Sequence, residues 1–394
     1  MDSVLLFVEY KHKILSLLYS ENRLKKVMVH QRTLSDVGAI YIGKVKNVVP
    51  AIDACFVEYK KDCIGFLPLK QAKYAQVLNG SKNDYLVAGD EIMVQVETEG
   101  VKTKAPGLTC NLSLRGNYAV LTLGKKHIGF SSKLKENTKV RLKDWLYQSP
   151  CFSKIREENL GVVVRTNAGK LEIRQELEKE LEALWKQMGK VRKEFRFRTC
   201  FSCLYQPPSS YLSEVRDLYQ WEYNKIITDI PDVYEELSRE MAGRKEVLLY
   251  EDKHISLSKL YSVSSRIKEA LEERVWLKSG AYLIIQPTEA LTVIDVNSGK
   301  IQKKHPGDDI YYVINKEAAK EIAFQLKLRN ISGIILVDFI NQNKEEQDKE
   351  LLHYFSSQVK EDSVQTNVVD MTPLGLVEVT RKKVYRSLKE QLEG

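Results

Sequence analysis

Hydrophobic and polar positions alternate in short runs across the first third of the chain. Val4–Tyr10, Lys13–Ser20 and Leu24–His30 each read as a strand, with polar turns between them and no helical period. A sheet piece this small cannot bury its own face, so residues 1–32 need a partner elsewhere. Residues 37–115 hold five more runs: Ala39–Val49, Asp53–Tyr59, Cys63–Pro68, Glu91–Glu97 and Leu108–Leu114. Gly, Pro and Asp mark the joints, a pattern that predicts a small closed barrel of the OB type.

The period then changes. Within 116–205, which otherwise reads as strands, Ile173, Leu177, Leu181, Leu184, Trp185 and Met188 form the apolar face of one helix. Leu160–Val164 reads as a buried strand that ends in the turn Arg165–Lys170. Pro207-Pro-Ser-Ser210 is a break. After it, helical Tyr211–Tyr223 and Pro231–Met241 alternate with strands Lys225–Ile230 and Glu246–Tyr250. This stretch could complete the sheet begun by residues 1–32, which makes the intervening segment a domain inserted within another. From about 257 the pattern is α/β. Helix Ser258–Trp276 precedes strands Ala281–Gln286 and Leu291–Asp295, and a loop over 297–314 leads to helix Asn315–Asn330, with Asn315 as N-cap. Strand Gly333–Phe339, a charged helix over 344–361, strands near 366–371 and 375–380, and a basic helix close the chain.

Composition narrows the classes. A chain of 394 residues has room for more than one core. No apolar run approaches the ~20 residues that span a bilayer, so no membrane span is expected. The run at residues 1–10 is flanked by Asp2 and Glu9 and lacks both a basic leader and a small-residue cleavage site, so the expected location is cytoplasmic. The net charge of +8 suits a polyanionic partner. The densest basic stretch, Lys190-Val-Arg-Lys-Glu-Phe-Arg-Phe-Arg198, reads either as part of such a surface or as a solvated strand face. Cys200-Phe-Ser-Cys203 has the spacing of a zinc half-site, but no second pair completes four ligands.

Candidate chemistry gathers at strand ends. Leu291-Thr-Val-Ile-Asp295 and Gly333-Ile-Ile-Leu-Val-Asp338 are apolar runs closed by a carboxylate. A charge at the end of a buried strand is costly unless it is paired or metal-bound. Ligands of open α/β sheets sit at carboxyl ends of strands, and two Asp there would offer oxygen ligands to Mg2+. Helix capping or ion pairing is the alternative. Asn297-Ser-Gly-Lys300 lacks the leading Gly and the final Ser/Thr of a phosphate loop. Phe56 and Phe66 occupy the same place in two successive strand motifs, where they either stack on bases or fill the barrel. Lys44, Lys46, Lys102 and Lys104 could track a phosphate backbone beside them. Arg165 and Thr166 stand at a strand end, where a guanidinium fork and a hydroxyl can grip a phosphate, although a surface Arg beside a turn is common.

Taken together the chain resembles the ribonuclease E/G family from residue 1 to about 390. The resemblance is carried by Tyr41-Ile-Gly-Lys-Val-Lys46, Ala54-Cys-Phe-Val57, Gly65-Phe-Leu-Pro-Leu-Lys70, Gly161-Val-Val-Val-Arg-Thr166, Thr288-Glu-Ala-Leu-Thr-Val-Ile-Asp-Val-Asn-Ser298, Glu317–Asn330, Gly333–Phe339 and Gly375-Leu-Val-Glu-Val-Thr-Arg381. It implies a mixed α+β and α/β multidomain fold. An S1-type OB barrel (36–115) and a 5′-phosphate sensor subdomain (116–205) would be inserted into an RNase H-like subdomain (1–35 and 206–275), and a DNase I-like catalytic subdomain (276–394) would follow. It also implies a magnesium-dependent endoribonuclease of RNA processing and decay, with Mn2+ as the alternative ion. Such an enzyme cuts single-stranded RNA through a metal-activated water, leaves 5′-phosphate and 3′-hydroxyl ends, and favours 5′-monophosphorylated substrates.

By the same resemblance Asp295 and Asp338 match the metal ligands and Asn297 the residue that sets their geometry. Phe56, Phe66 and Lys104 match RNA contacts, and Arg165, Thr166 and Val120 match the 5′-phosphate pocket. Three positions depart from the pattern. The family's zinc-binding C-x-x-C is not within the 394 residues, so structural zinc is not expected, and any homodimer would not be joined through it. Gln365 stands where a second basic residue supports the 5′-phosphate, and Asn341 stands at an acidic position. These departures leave a second reading, a catalytically weak RNA-binding protein that works through its barrel.

Overall fold

The computed structural model describes residues 3–32, 35–78, 85–100, 104–169, 174–218, 222–299, 309–342, 345–360, 362, 364–384 and 386–393. The chain divides into two units, one formed by Met1–His30 with Tyr223–Gly394 and the other by Gln31–Glu222.

In chain order, strands β1 Ser3–Tyr10, β2 Lys13–Ser20 and β3 Arg23–His30 come first. The second unit follows with β4 Ile40–Val49, β5 Ala54–Lys60, β6 Cys63–Pro68, β7 Glu91–Thr98, β8 Gly107–Thr109, β9 Leu112–Arg115, β10 Ala119–Leu123 and β11 Ile128–Phe130. Helices α1 Glu136–Gln148 and α2 Pro150–Glu157, strand β12 Gly161–Val164, helix α3 Arg174–Phe195, strand β13 Cys203–Tyr205 and helix α4 Ser210–Asp217 complete it. The first unit resumes with β14 Lys225–Thr228, α5 Pro231–Met241, β15 Glu246–Leu249, α6 Leu257–Leu260, α7 Val263–Leu271, β16 Arg274–Trp276, β17 Tyr282–Pro287 and β18 Leu291–Asn297. It ends with α8 Asp309–Leu328, β19 Gly333–Asp338, α9 Glu345–Val359, β20 Thr366–Met371, β21 Leu376–Arg381 and α10 Leu388–Glu393.

In the second unit five strands close a barrel in the order β4-β5-β6-β8-β7, with β4 pairing β7 to complete the ring and β13 added on β4. A register shift between Val45 and Asn47 bends β4 so that it can serve two neighbours. Alternation sends Ala39, Tyr41, Cys55, Val57, Leu67, Ile92, Val94 and Leu108 inward. Gly65 is required by this packing, since a Cβ there would lie 2.5 Å from Leu108 Cγ. The expected strand Leu108–Leu114 is in fact two: β8 belongs to the barrel, and β9 joins the separate sheet β11-β12-β10-β9.

Three helices, not one, pack on that four-stranded sheet. Leu142 and Leu146 of α1, Phe152 and Ile155 of α2, and Leu177, Leu181 and Met188 of α3 share a core with Leu121, Val162 and Val164. Helix α1 escaped detection because only Leu142 and Leu146 are buried, too few to set a period. Helix α2 begins where the Ser149 hydroxyl accepts the Phe152 N–H at 3.0 Å, with Pro150 in its first turn. The basic stretch from Lys190 to Phe195 is the end of α3 rather than a strand. Lys190 and Arg198 pair with Glu194, and Arg192 pairs with Glu158. Ile173 lies outside the described residues.

In the first unit the sheet β15-β14-β1-β2-β3 gives the N-terminal strands their partners. β1 and β2 and likewise β2 and β3 are antiparallel, whereas β14 runs parallel to both β1 and β15. A second sheet has the order β16-β17-β18-β19-β21-β20. Helices α8 and α9 cover one face of it through Ile314, Ala318, Ile322, Leu351 and Phe355, which meet Ile294, Ile335, Val337, Val377 and Val379. The other face is open. On it, Val293 is 37% and Ile334 53% exposed.

Three expectations fail in this unit. Ser258–Trp276 is not one helix: Ser262 takes a left-handed φ of 50° between α6 and α7, and Arg274–Trp276 is a strand. Asn315 is not an N-cap, because α8 begins at Asp309; its buried amide instead donates to Ile340 O and accepts from Ile340 N. The last helix, Leu-Lys-Glu-Gln-Leu-Glu, is not basic. Among the described residues no helix is long and apolar enough to cross a membrane.

Candidate active site

Asp295 ends up level with Asp338 because β18 and β19 are parallel neighbours whose register pairs Ile294 with Val337 and Asp295 with Asp338. Partners in one register face the same side of a sheet, with backbones about 4.8 Å apart. That side is the open one, since Ile294 and Val337 point into the core. The premise of a charge at a buried strand end therefore fails: Asp295 is half-buried and Asp338 exposed, so desolvation does not force either to find a counter-charge. Placement, not burial, marks them out. The Asn297 amide donates to Asp295 Oδ2 at 2.7 Å, which holds the rotation of that carboxylate. Among the described residues no group of three or more His, Cys, Asp and Glu side chains is placed so that it could hold a metal ion. Two carboxylates and an amide on an open face fit an ion that keeps several waters and shares a phosphate, which is how Mg2+ is commonly held. Lys300 lies outside the described residues, and Asn341 stands exposed just past β19.

On the barrel, Phe56 and Phe66 are register partners of β5 and β6, with rings edge-to-face at 6.1 Å. Both are half-buried and neither belongs to the barrel core, whose members Cys55, Val57 and Leu67 flank them. Alternation thus turns the two rings outward. The Phe66 N–H donates to Pro106 O at 2.8 Å, which brings the segment carrying exposed Lys104 alongside. Lys44 is exposed; Lys46 is tied to Glu58 at 3.0 Å. That bond, with the Asp62 N–H, holds the Glu58 carboxyl below its ordinary range. Lys102 lies outside the described residues.

Arg165 follows β12 directly. Val120 and Val163 are register partners, and Arg165, two residues past Val163, continues the same face. The Arg165 guanidinium donates to Gly116 O at 2.6 Å, and its own N–H to Tyr118 O at 2.7 Å. The Thr166 hydroxyl shares a 2.7 Å hydrogen bond with Ser131. Val120 therefore lies on the small sheet and Arg165 and Thr166 just past the end of its strand β12, all in the other unit from Asp295, Asn297 and Asp338.

Sequence reading missed Glu180 of α3, whose carboxylate accepts the N–H groups of Asn117, Tyr118 and Ala119 at 2.7, 2.7 and 2.9 Å. Burial pushes its pKa up against these bonds and the nearby Arg165. Gly116 makes room, because a Cβ there would strike the Glu180 carboxylate. A lone Glu on a charged helix gives no signal in sequence. Reading also missed that Trp276 lies on a strand of the carboxylate-bearing sheet; the spacing of Arg274 and Trp276 could have shown it.

The ribonuclease E/G family model matches residues 113–384. Ribonuclease E of Nostoc sp. is 33% identical over 98% of this chain, and ribonuclease E of Synechocystis sp. is 32% identical over 96%. Ribonuclease G of Escherichia coli is 31% identical over 90%. The matches span 56% and 57% of the two ribonucleases E and 74% of the ribonuclease G. With the match running through both units and including Arg165, Asp295 and Asp338, the chain belongs to the ribonuclease E/G family.

Proposed function

We propose that this chain is an endoribonuclease of RNA processing that cuts single-stranded RNA at the open face of the β18–β19 pair. The observation that carries this reading is the level placement of Asp295 and Asp338 on parallel neighbours, with Asn297 bonded to Asp295. The names of the relatives support it. Asp295 and Asp338 would hold Mg2+, or Mn2+, and Asn297 would keep the Asp295 carboxylate turned toward it. When bound, such an ion supplies an acidified water and neutralises charge on a phosphate. The open face leaves the phosphate free to approach from solvent. Phe56 and Phe66 would stack on bases, and Lys104 would meet the backbone beside them. Arg165 and Thr166, beside Val120, would receive a 5′-terminal phosphate. The strand order β3-β2-β1-β14-β15, with β2 alone antiparallel, supports an RNase H-like subdomain, and the β4-β5-β6-β8-β7 ring supports an S1-type barrel.

The test is a gel assay on a 5′-monophosphorylated, A/U-rich single-stranded oligomer with Mg2+, with EDTA, and with Asp295→Asn. Discrete internal cuts that need both Mg2+ and Asp295 are expected, with RNA binding retained by the variant. Equal cutting by the variant and the wild type would refute the site.

A further inference from the structure

The open face of the six-stranded sheet carries a second group of side chains in the same cross-strand rows as the carboxylates. β16 and β17 pair Arg274 with Ile284 and Trp276 with Tyr282. β17 and β18 pair Ile284 with Asp295 and Tyr282 with Asn297. Arg274, Trp276 and Tyr282 therefore look out on the same side as Asp295 and Asn297. Arg274 and Trp276 stand two strands away, or about 9–10 Å between backbones. The Trp276 and Tyr282 rings lie 5.2 Å apart at 57°. The Arg274 guanidinium sits over both, 5.7 Å from the first centroid and 4.7 Å from the second. Trp276 is nonetheless 63% exposed, on the edge strand of the sheet.

An indole left in water forgoes the burial its surface normally gains, and sheet edges are usually guarded by charge. Such a ring fits a partner that arrives after folding. The chemistry of the group selects among partners. A guanidinium held over two rings offers a positive charge beside π faces, which suits a planar base with a phosphate next to it. A purely apolar partner would bury Arg274 without a counter-charge, at a cost.

We infer that Arg274, Trp276 and Tyr282 form a stacking platform for a nucleotide flanking the phosphate held at Asp295 and Asp338. This rests on the reading of that site as a nuclease centre. Every base has a π face, so the platform fixes which phosphate lies at the carboxylates more than which base is read.

The experiment moves one abasic nucleotide stepwise through a 5′-monophosphorylated RNA oligomer. Cleavage rate is measured in Mg2+, and affinity in EDTA, where no turnover occurs. Wild type, Trp276→Leu and Trp276→Phe are compared. A ring this exposed contributes little to folding, so unchanged melting temperatures are expected, and Trp276→Phe keeps a stacking face if the larger change disturbs the strand. One position beside the cut should exist where loss of the base costs the wild type ~5- to ~150-fold. There Trp276→Leu should lose nothing further, and Trp276→Phe should keep most of the effect. Identical abasic profiles for wild type and Trp276→Leu would overturn the platform while leaving Mg2+-dependent cutting intact. The converse, no cutting but an abasic position that vanishes with Trp276→Leu in the affinity data, would remove the nuclease reading and keep the platform. Self-association lost in Trp276→Leu, with identical profiles, would assign the face to a second copy of the chain and overturn the proposal.

Discussion

At the proposed metal site, Asn297 and Asp295 should fail in different ways when replaced. The Asn297 amide is bonded to Asp295 at 2.7 Å, so Asn297→Ala leaves both carboxylates and loosens one. Loss of such an orienting partner typically costs about 10–100-fold in metal affinity or activity. Asn297→Ala should therefore be inactive at low Mg2+ and recover as Mg2+ is raised. Asp295→Asn should not recover at any concentration, since it lacks the ligand itself. Titrating Mg2+ against initial rate separates the two; parallel curves would mean that Asn297 does not act through Asp295. Glu180 makes a prediction about pH. Burial raises its pKa in the folded state, so the unfolded chain ionises first as pH climbs. Its contribution to stability is complete below the ordinary Glu range and falls as pH rises through the raised folded value. Urea unfolding at several pH values should show the wild type losing stability over that window relative to Glu180→Gln. A difference that stays level with pH would show that the shift is absent.

At the scale of elements, the end of β21 is fastened by one buried pair. Arg381 and Asp362 meet at 2.8 Å with side chains only 3% and 7% exposed, and Arg381 also donates to Asn330 Oδ1 and Ile331 O. Removing one partner leaves the other charge buried without its counter-charge, typically at a cost of ~3–5 kcal/mol. Asp362→Ala should lower denaturant stability by about that much, and Arg381→Met with Asp362→Leu should restore most of it. A small loss in the single variant would mean that water reaches the pair. Strands β5 and β6 were legible from the chain by alternation, each with one buried face, and β1, β2 and β7 as short apolar runs buried on both faces. What stayed hidden depended on distant partners. Helix α1 fully buries only Leu142 and Leu146, and strand β16 is three residues long and exposes Trp276. The two carboxylates were legible as strand ends, but their shared level depends on a parallel register that no local pattern states.

At the scale of the whole molecule, the chain carries its proposed 5′-phosphate group and its proposed metal site in different units. Any dependence of cutting on the 5′ end would then involve residues of both units. Arg165 is already engaged with the Gly116 carbonyl through one guanidinium nitrogen and lies near the Glu180 carboxylate, so a terminal phosphate would share a guanidinium in use. Gln365 adds no positive charge to the exchange. The expected outcome is a modest preference. An RNA with a 5′-monophosphate should be cut faster than the same RNA with a 5′-hydroxyl, and Arg165→Ala should erase the difference. Because the grip is made before and during the reaction alike, the effect belongs in KM and not in kcat. Initial rates on both RNAs, for wild type and Arg165→Ala, decide the matter. Equal rates in the wild type would show that the grip adds nothing, and a gap that persists in Arg165→Ala would place 5′-end recognition on other residues.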